Sequence, residues 1–210
     1  MEAVGILPKF RGTAIHDAFA SYFGYGCAHG LCNAHLLRDL TFLREQNKCP
    51  WAEEFITLLL RAKEAVAVAK TRDRDVLDAT VLRRFEEQYQ ALLDEGLRQN
   101  PPRLPSGKRG RTKQSSARNL LMRLQRYRHA VLGFMYDFGI PFDNNQAERD
   151  IRMAKVRQKI SGCFRSDDYA RIFCRTRGYI STLRKQGIAV LPALRSVFMG
   201  QPVMPALTAV

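Results

Sequence analysis

Ile140 to Lys159 reads I-P-F-D-N-N-Q-A-E-R-D-I-R-M-A-K-V-R-Q-K, and the turn-like S-G-C-F-R-S-D-D follows from Ser161 to Asp168. Pro141 stops whatever helix precedes it, and Asp143 or Asn144 is suited to cap a new one. Glu148 then falls in the early turns of that helix. Arg152 and Lys155 lie four and seven positions on and share its face. A carboxylate in so basic a stretch can bind a divalent cation while its neighbours hold phosphates, the pairing that phosphoryl transfer on a nucleic acid requires. The plainer alternative is a solvated helix on which Glu148 pairs with Arg152.

Upstream of this stretch, Ser115 to Phe138 is expected as one helix. Before it, N-P-P-R-L-P-S-G-K-R-G-R-T-K-Q-S-S is too rich in Pro, Gly and Ser to hold one and reads as a basic loop. No acidic residue occurs between Gly96 and Tyr136. Apolar residues recur at helical spacing from Asn33 to about Gln46, from Trp51 to about Lys70 and from about Asp75 to Arg98, which predicts a packed helical region. T-A-I-H-D followed by A-F-A-S-Y-F predicts a short strand that ends at Asp17 and a helix that begins there. An Asp at the end of a strand is a common metal position in open sheets, and also a common helix cap. Downstream, helices are expected over Tyr169 to Gln186 and Val190 to Phe198, with a frayed tail.

Composition narrows the class. The 210 residues carry 34 Lys and Arg against 20 Asp and Glu, a formal charge of +14, so a polyanionic partner is expected. No run approaches the roughly 18 apolar residues that span a bilayer, and the start M-E-A-V-G-I-L-P-K-F lacks the pattern of a signal peptide. A soluble protein of the bacterial cytoplasm, associated with the nucleoid and not with membrane, is the expectation. Five cysteines are odd in number and too sparse for a disulfide scaffold, so reduced thiols are expected. Cys27, His29, Cys32 and His35 have the composition of a zinc site, but C-x-H-x-x-C-x-x-H is tighter than structural zinc patterns.

The chain resembles transposases of the insertion sequence 66 family. The likeness is densest from Pro141 to Ser166, continues through F-C-R-T-R-G-Y-I-S-T-L-R-K-Q-G from Phe173 to Gly187, and includes I-H-D-A-F-A-S-Y and L-C-N-A-H-L-L-R-D-L near the N-terminus. The resemblance implies an α/β fold with an RNase H-like core, whose acidic triad binds two Mg2+ or Mn2+ ions. The glutamate of N-N-x-A-E-R maps onto Glu148 as the third acid, and the aspartate of H-D-x-x-x-x-Y onto Asp17 as the second. Both are metal ligands on this reading. Cys32 and His35 correspond to the family's C-x-x-H pattern, with a structural or site-supporting role.

The implied layout is a partial core with the second acid over 1–50, a large helical insertion and basic loop over 51–114, core helices with the third acid over 115–200, and a tail over 201–210. As present, the chain is expected to be mostly α-helical and N-terminally incomplete, because the first acid belongs well before Asp17 and no Asp lies among residues 1–16. The intact enzyme would cleave strands at transposon ends and transfer them, acting as a homo-oligomer on DNA. Arg149, Arg152, Lys155, Arg157, Lys159, Lys108, Arg109 and Arg111 are the candidates for contact with the DNA backbone. The alternatives are a truncated, catalytically inactive DNA-binding or assembly remnant, and an RNA-binding protein, which the charge allows but the motif around Glu148 does not explain.

Overall fold

A computed structural model describes residues 7–104, 112–204 and 206. Among these the chain is mostly helical, with eight α-helices and two parallel strands, and divides into two compact units, Met1–Asn144 and Asn145–Val210. No helix among the described residues is long and apolar enough to cross a membrane.

In the first unit, β1 (Thr13–His16) pairs in parallel with β2 (Ala28–Leu31), Thr13 opposite Ala28 and His16 opposite Leu31. The helix expected to begin at Asp17 is instead a 3-10 helix, Ala20–Gly24. Ala18 takes a positive φ of 71°, so the chain turns before it can enter an α-helix. β2 was absent from the periodicity reading; it comprises only four residues, one of them glycine. From β2 the chain runs into α1 (Asn33–Asn47), whose stripe Leu36, Leu40 and Leu43 is buried. Lys48, in the left-handed region, ends α1 by donating its N–H to the Leu43 carbonyl.

Pro50 opens α2 (Pro50–Lys70), where its missing N–H costs nothing. Its face of Trp51, Phe55, Leu58, Leu59, Ala62 and Val66 packs on α1 and on α3 (Ala79–Gln99), which contributes Phe85, Tyr89 and Leu93. The Leu, Val and Phe side chains among these contribute about 1.5–3 kcal/mol each by leaving water. α1, α2 and α3 therefore share one core. Gly96 lets α4 (Ser116–Arg126) approach α3, since a Cβ there would meet the Leu121 side chain at 2.6 Å. Ser115 caps α4 by accepting the Arg118 N–H at 3.1 Å.

The helix expected over Ser115 to Phe138 is broken at Tyr127 into α4 and α5 (Arg128–Tyr136). In an unbroken helix the Leu124 carbonyl would accept from the Arg128 N–H; here it accepts the buried Tyr89 hydroxyl at 3.0 Å. The break points the Tyr127 ring at Phe23, stacked at 4.1 Å. Five successive residues of α5, Val131 to Met135, are buried, because α5 lies between β2 and α2.

The second unit holds α6 (Asn145–Ser161), α7 (Asp167–Lys185) and α8 (Val190–Phe198). Ser166 caps α7 by accepting the Tyr169 N–H. Gly187, at φ 70°, ends it in a Schellman motif: Ile188 N–H bonds the Leu183 carbonyl and Gly187 N–H the Arg184 carbonyl. Within these three helices only Leu183 and Ala193 are buried.

Candidate functional site

Because β1 and β2 are parallel, their carboxyl ends lie together, and open sheets bind ligands beyond that edge. Asp17 follows β1 and Cys32 follows β2, with Cys32 N–H extending the ladder to the His16 carbonyl at 2.9 Å. The N-terminus of α1, the positive end of its dipole, opens at the same edge.

Asp17 is exposed. Its Oδ1 accepts the Phe19 N–H at 3.1 Å, a local turn bond and not a helix cap, while Oδ2 makes no hydrogen bond among the described residues. Behind it stands a relay of imidazoles. The Ala18 N–H, necessarily a donor, reaches His16 Nδ1 at 3.2 Å. His16 Nε2 therefore carries the proton and donates it to His29 Nδ1, also at 3.2 Å. His29 Nε2–H in turn donates to the Tyr25 carbonyl at 3.2 Å, so a single neutral tautomer of each ring satisfies all three bonds. Burial, and then the proximity of His29, pushes the His16 imidazole below its ordinary value, against a smaller opposing pull from Asp17. Tyr22 stacks on His16 at 4.8 Å and Phe23 meets it edge-on at 4.7 Å. This packing fixes the turn that carries Asp17, including the strained backbone at Ala18.

Three hydrogen bonds dock a distant segment on this edge. Asn33 N–H donates to the Phe142 carbonyl at 3.0 Å, Asn144 N–H to Cys32 Sγ at 3.2 Å, and Asn144 Nδ2 to the Ile15 carbonyl at 3.2 Å. Asn33, buried, also donates Nδ2 to the Val131 carbonyl at 3.1 Å, which ties the start of α1 to α5. Cys32 is buried, and its Sγ and a His35 ring nitrogen lie within 4.8 Å of each other. Cys27 and His29 do not join them in a cluster of ligand atoms among the described residues, so the four-ligand zinc pattern is not assembled. Thiol and imidazole are soft donors that suit a transition metal better than Mg2+, whereas the exposed Asp17 carboxylate is a hard one.

In the second unit, Glu148 lies in the first turn of α6, half-buried, four residues beyond the anchored Asn144. Arg149, Arg152, Lys155 and Lys159 are exposed on α6. Arg157 turns toward α7, its guanidinium over the Tyr169 ring at 5.6 Å, and is not free to reach outward. Lys108, Arg109 and Arg111 lie outside the described residues. Asp150, on α6, accepts from Lys185 and from the Ser181 hydroxyl, each at 2.6 Å; Lys185 first and Ser181 second hold its carboxyl below the usual range.

The sequence reading missed the His16–His29 relay, although it placed His29 among possible zinc ligands. Only the register of β1 on β2 pairs the two rings. It also passed over Asn33, whose position just before a helical stripe was the one available signal.

No curated protein and no solved structure matches the chain. A family model described as "Transposase IS66 family" matches residues 2–172, which include the Asp17 turn, the Cys32–His35 segment and the start of α6 through Glu148. The chain belongs to the IS66 family of transposases.

Proposed function

We propose that this chain carries two of the acidic metal ligands of a DNA transposase, Asp17 and Glu148, and serves strand cleavage and strand transfer at transposon ends. Membership of a DDE transposase family implies action on DNA and use of a divalent metal in general terms. The observation that carries the finer reading is the docking of Phe142 and Asn144, which lead into the glutamate motif. Asn144 bonds both the Ile15 carbonyl of β1 and Cys32 Sγ, at the same strand edge from which the exposed Asp17 projects. The donor chemistry fits Mg2+ or Mn2+ at the carboxylates. When bound, such ions lower the pKa of a nucleophilic water or hydroxyl and stabilise the leaving oxygen.

The residues contribute the rest. The imidazole relay holds the Asp17 turn in a single conformation, and Cys32 with His35 supports the edge without serving the hard cations. Arg149, Arg152, Lys155 and Lys159 hold phosphates along α6 without reading sequence. On this reading the core is RNase H-like, contributed by residues 1–50 and 115–200, with 51–114 inserted between the second and third acids. The working form is an oligomer assembled on DNA.

The test is titration calorimetry with Mn2+ on the whole chain, alongside Asp17→Asn and Glu148→Gln. Asp17→Asn keeps the oxygen that accepts the Phe19 N–H, so its fold should be retained, as circular dichroism will check. Saturable binding lost in both variants is expected. A folded chain whose Mn2+ binding is absent, or is indifferent to both substitutions, would leave a non-catalytic DNA-binding role as the better account.

A further inference from the structure

The second unit is the more basic part of the chain for its size, with twelve Lys and Arg against four Asp and Glu from Asn145 to Val210. Most of that charge is scattered over exposed helix faces, as solvated charge usually is. One group is not. Between α6 and α7 lies a cleft of about 430 Å³ whose lining includes Arg149, Asp150, Arg177, Ser181, Arg184 and Lys185. Its single carboxylate is already neutralised, because Asp150 is bonded to Lys185 and Ser181. Arg149, Arg177 and Arg184 make no ion pair among the described residues, so the cleft retains three uncompensated guanidinium groups. Like charges gathered so closely repel unless an anion lies among them.

A phosphate supplies the oxygens that a guanidinium fork binds in pairs, so it is the anion that suits this lining. The geometry along α7 suggests the form of the ligand. Arg177 and Arg184 are seven residues apart on one face, a rise of about 10.5 Å at 1.5 Å per residue. At 3.4 Å of duplex axis per phosphate on one strand, that distance covers about three consecutive phosphates. A single small anion would leave one end of the row unused.

We propose that Arg149, Arg177 and Arg184 form a backbone site for one strand of DNA, holding about three consecutive phosphates. The assignment deepens the reading of the chain as a DNA-acting enzyme but does not depend on its carboxylates. Its test is therefore run in EDTA, where a failure of the metal site has no influence.

The experiment is fluorescence anisotropy of a labelled mixed-sequence DNA duplex titrated with the whole chain between 50 and 300 mM KCl. Arg177→Gln and Arg184→Gln are compared with wild type and with Arg195→Gln, which removes the same charge from α8. Each cleft variant should flatten the slope of log K against log salt by about 0.9, equivalent to about eightfold weaker binding at 0.1 M. Arg177→Lys should keep the slope and lose part of the affinity, because lysine supplies the charge without the fork. Circular dichroism confirms that each variant is folded. The proposal is overturned if Arg195→Gln flattens the slope equally, if the cleft variants bind as wild type does, or if an RNA hairpin or vesicles of 7:3 phosphatidylcholine and phosphatidylglycerol are held more tightly than the duplex through the same arginines.

Discussion

Replacing Tyr89 by Phe removes one oxygen from the centre of the first unit and should cost far more than its size suggests. Tyr89 is fully buried, its ring meets Phe55 edge-on at 5.2 Å, and its hydroxyl donates to the Leu124 carbonyl at 3.0 Å. Burial pushes that hydroxyl well above its ordinary pKa, so it is a neutral donor at any pH of interest. Phe keeps the ring contacts, and the loss is that of the hydrogen bond alone. What remains is a buried carbonyl without a partner, at about 1–3 kcal/mol. For a unit of this size that corresponds to a fall in Tm of about 3–10 °C. The only local repair is to straighten α4 into α5 so that the Arg128 N–H takes the carbonyl, which would pull Tyr127 off Phe23 and change the near-ultraviolet circular dichroism. Urea unfolding followed in the far ultraviolet gives the free energy, and the near-ultraviolet spectrum reports the stack. A cost below about 0.5 kcal/mol with an unchanged aromatic spectrum would refute the account of the helix break.

Two further outcomes follow from the charges. His16 has a pKa lowered in the folded state, so below the unfolded value of 6.5 the unfolded chain binds more protons; its contribution is full above pH 6.5 and is lost as pH falls through the folded value. The urea midpoint should therefore fall between pH 7.5 and 5, at no more than about 1.4 kcal/mol per pH unit from this group, and His16→Gln should flatten that dependence. Asp150→Asn should act in the opposite direction to the arginine variants. It frees Lys185 and removes the cleft's one carboxylate, so duplex binding should strengthen and the salt slope steepen by up to about 0.9, and weaker binding would show that Asp150 holds the cleft open.

The helices were legible because each buries one stripe, and a stripe is written locally. Leu36, Leu40 and Leu43 in α1, and Phe85, Tyr89 and Leu93 in α3, repeat at the helical period whatever surrounds them. The features that escaped are those decided across the chain. The break at Tyr127 is made by a hydroxyl 35 residues upstream, and nothing between Ser115 and Phe138 announces it. β2 is A-H-G-L, with no alternation to mark a strand; its partner β1, not its own sequence, gives it that form. Asp17 was legible as a carboxylate at a strand end, but its fixed turn depends on His29, which only the strand register brings to His16.

The same distinction separates the two kinds of functional residue. A metal ligand must be a particular chemical type at a particular place, so Asp17 and Glu148 can be nominated from a motif and then judged by where the chain puts them. A backbone-binding arginine needs only charge and reach, and composition therefore nominates many. The structure discriminates among them by what each guanidinium already touches. Arg157 lies over the Tyr169 ring, whereas Arg177 lines one cleft with Arg184 and with Arg149, whose guanidinium also donates to Gln146 Oε1 at 3.0 Å. Guanidinium groups that face one cleft whose carboxylate is already bonded repel one another in the free protein, and that cost is what makes the α6–α7 cleft, rather than cations spread singly over the helices, the place where DNA should be held.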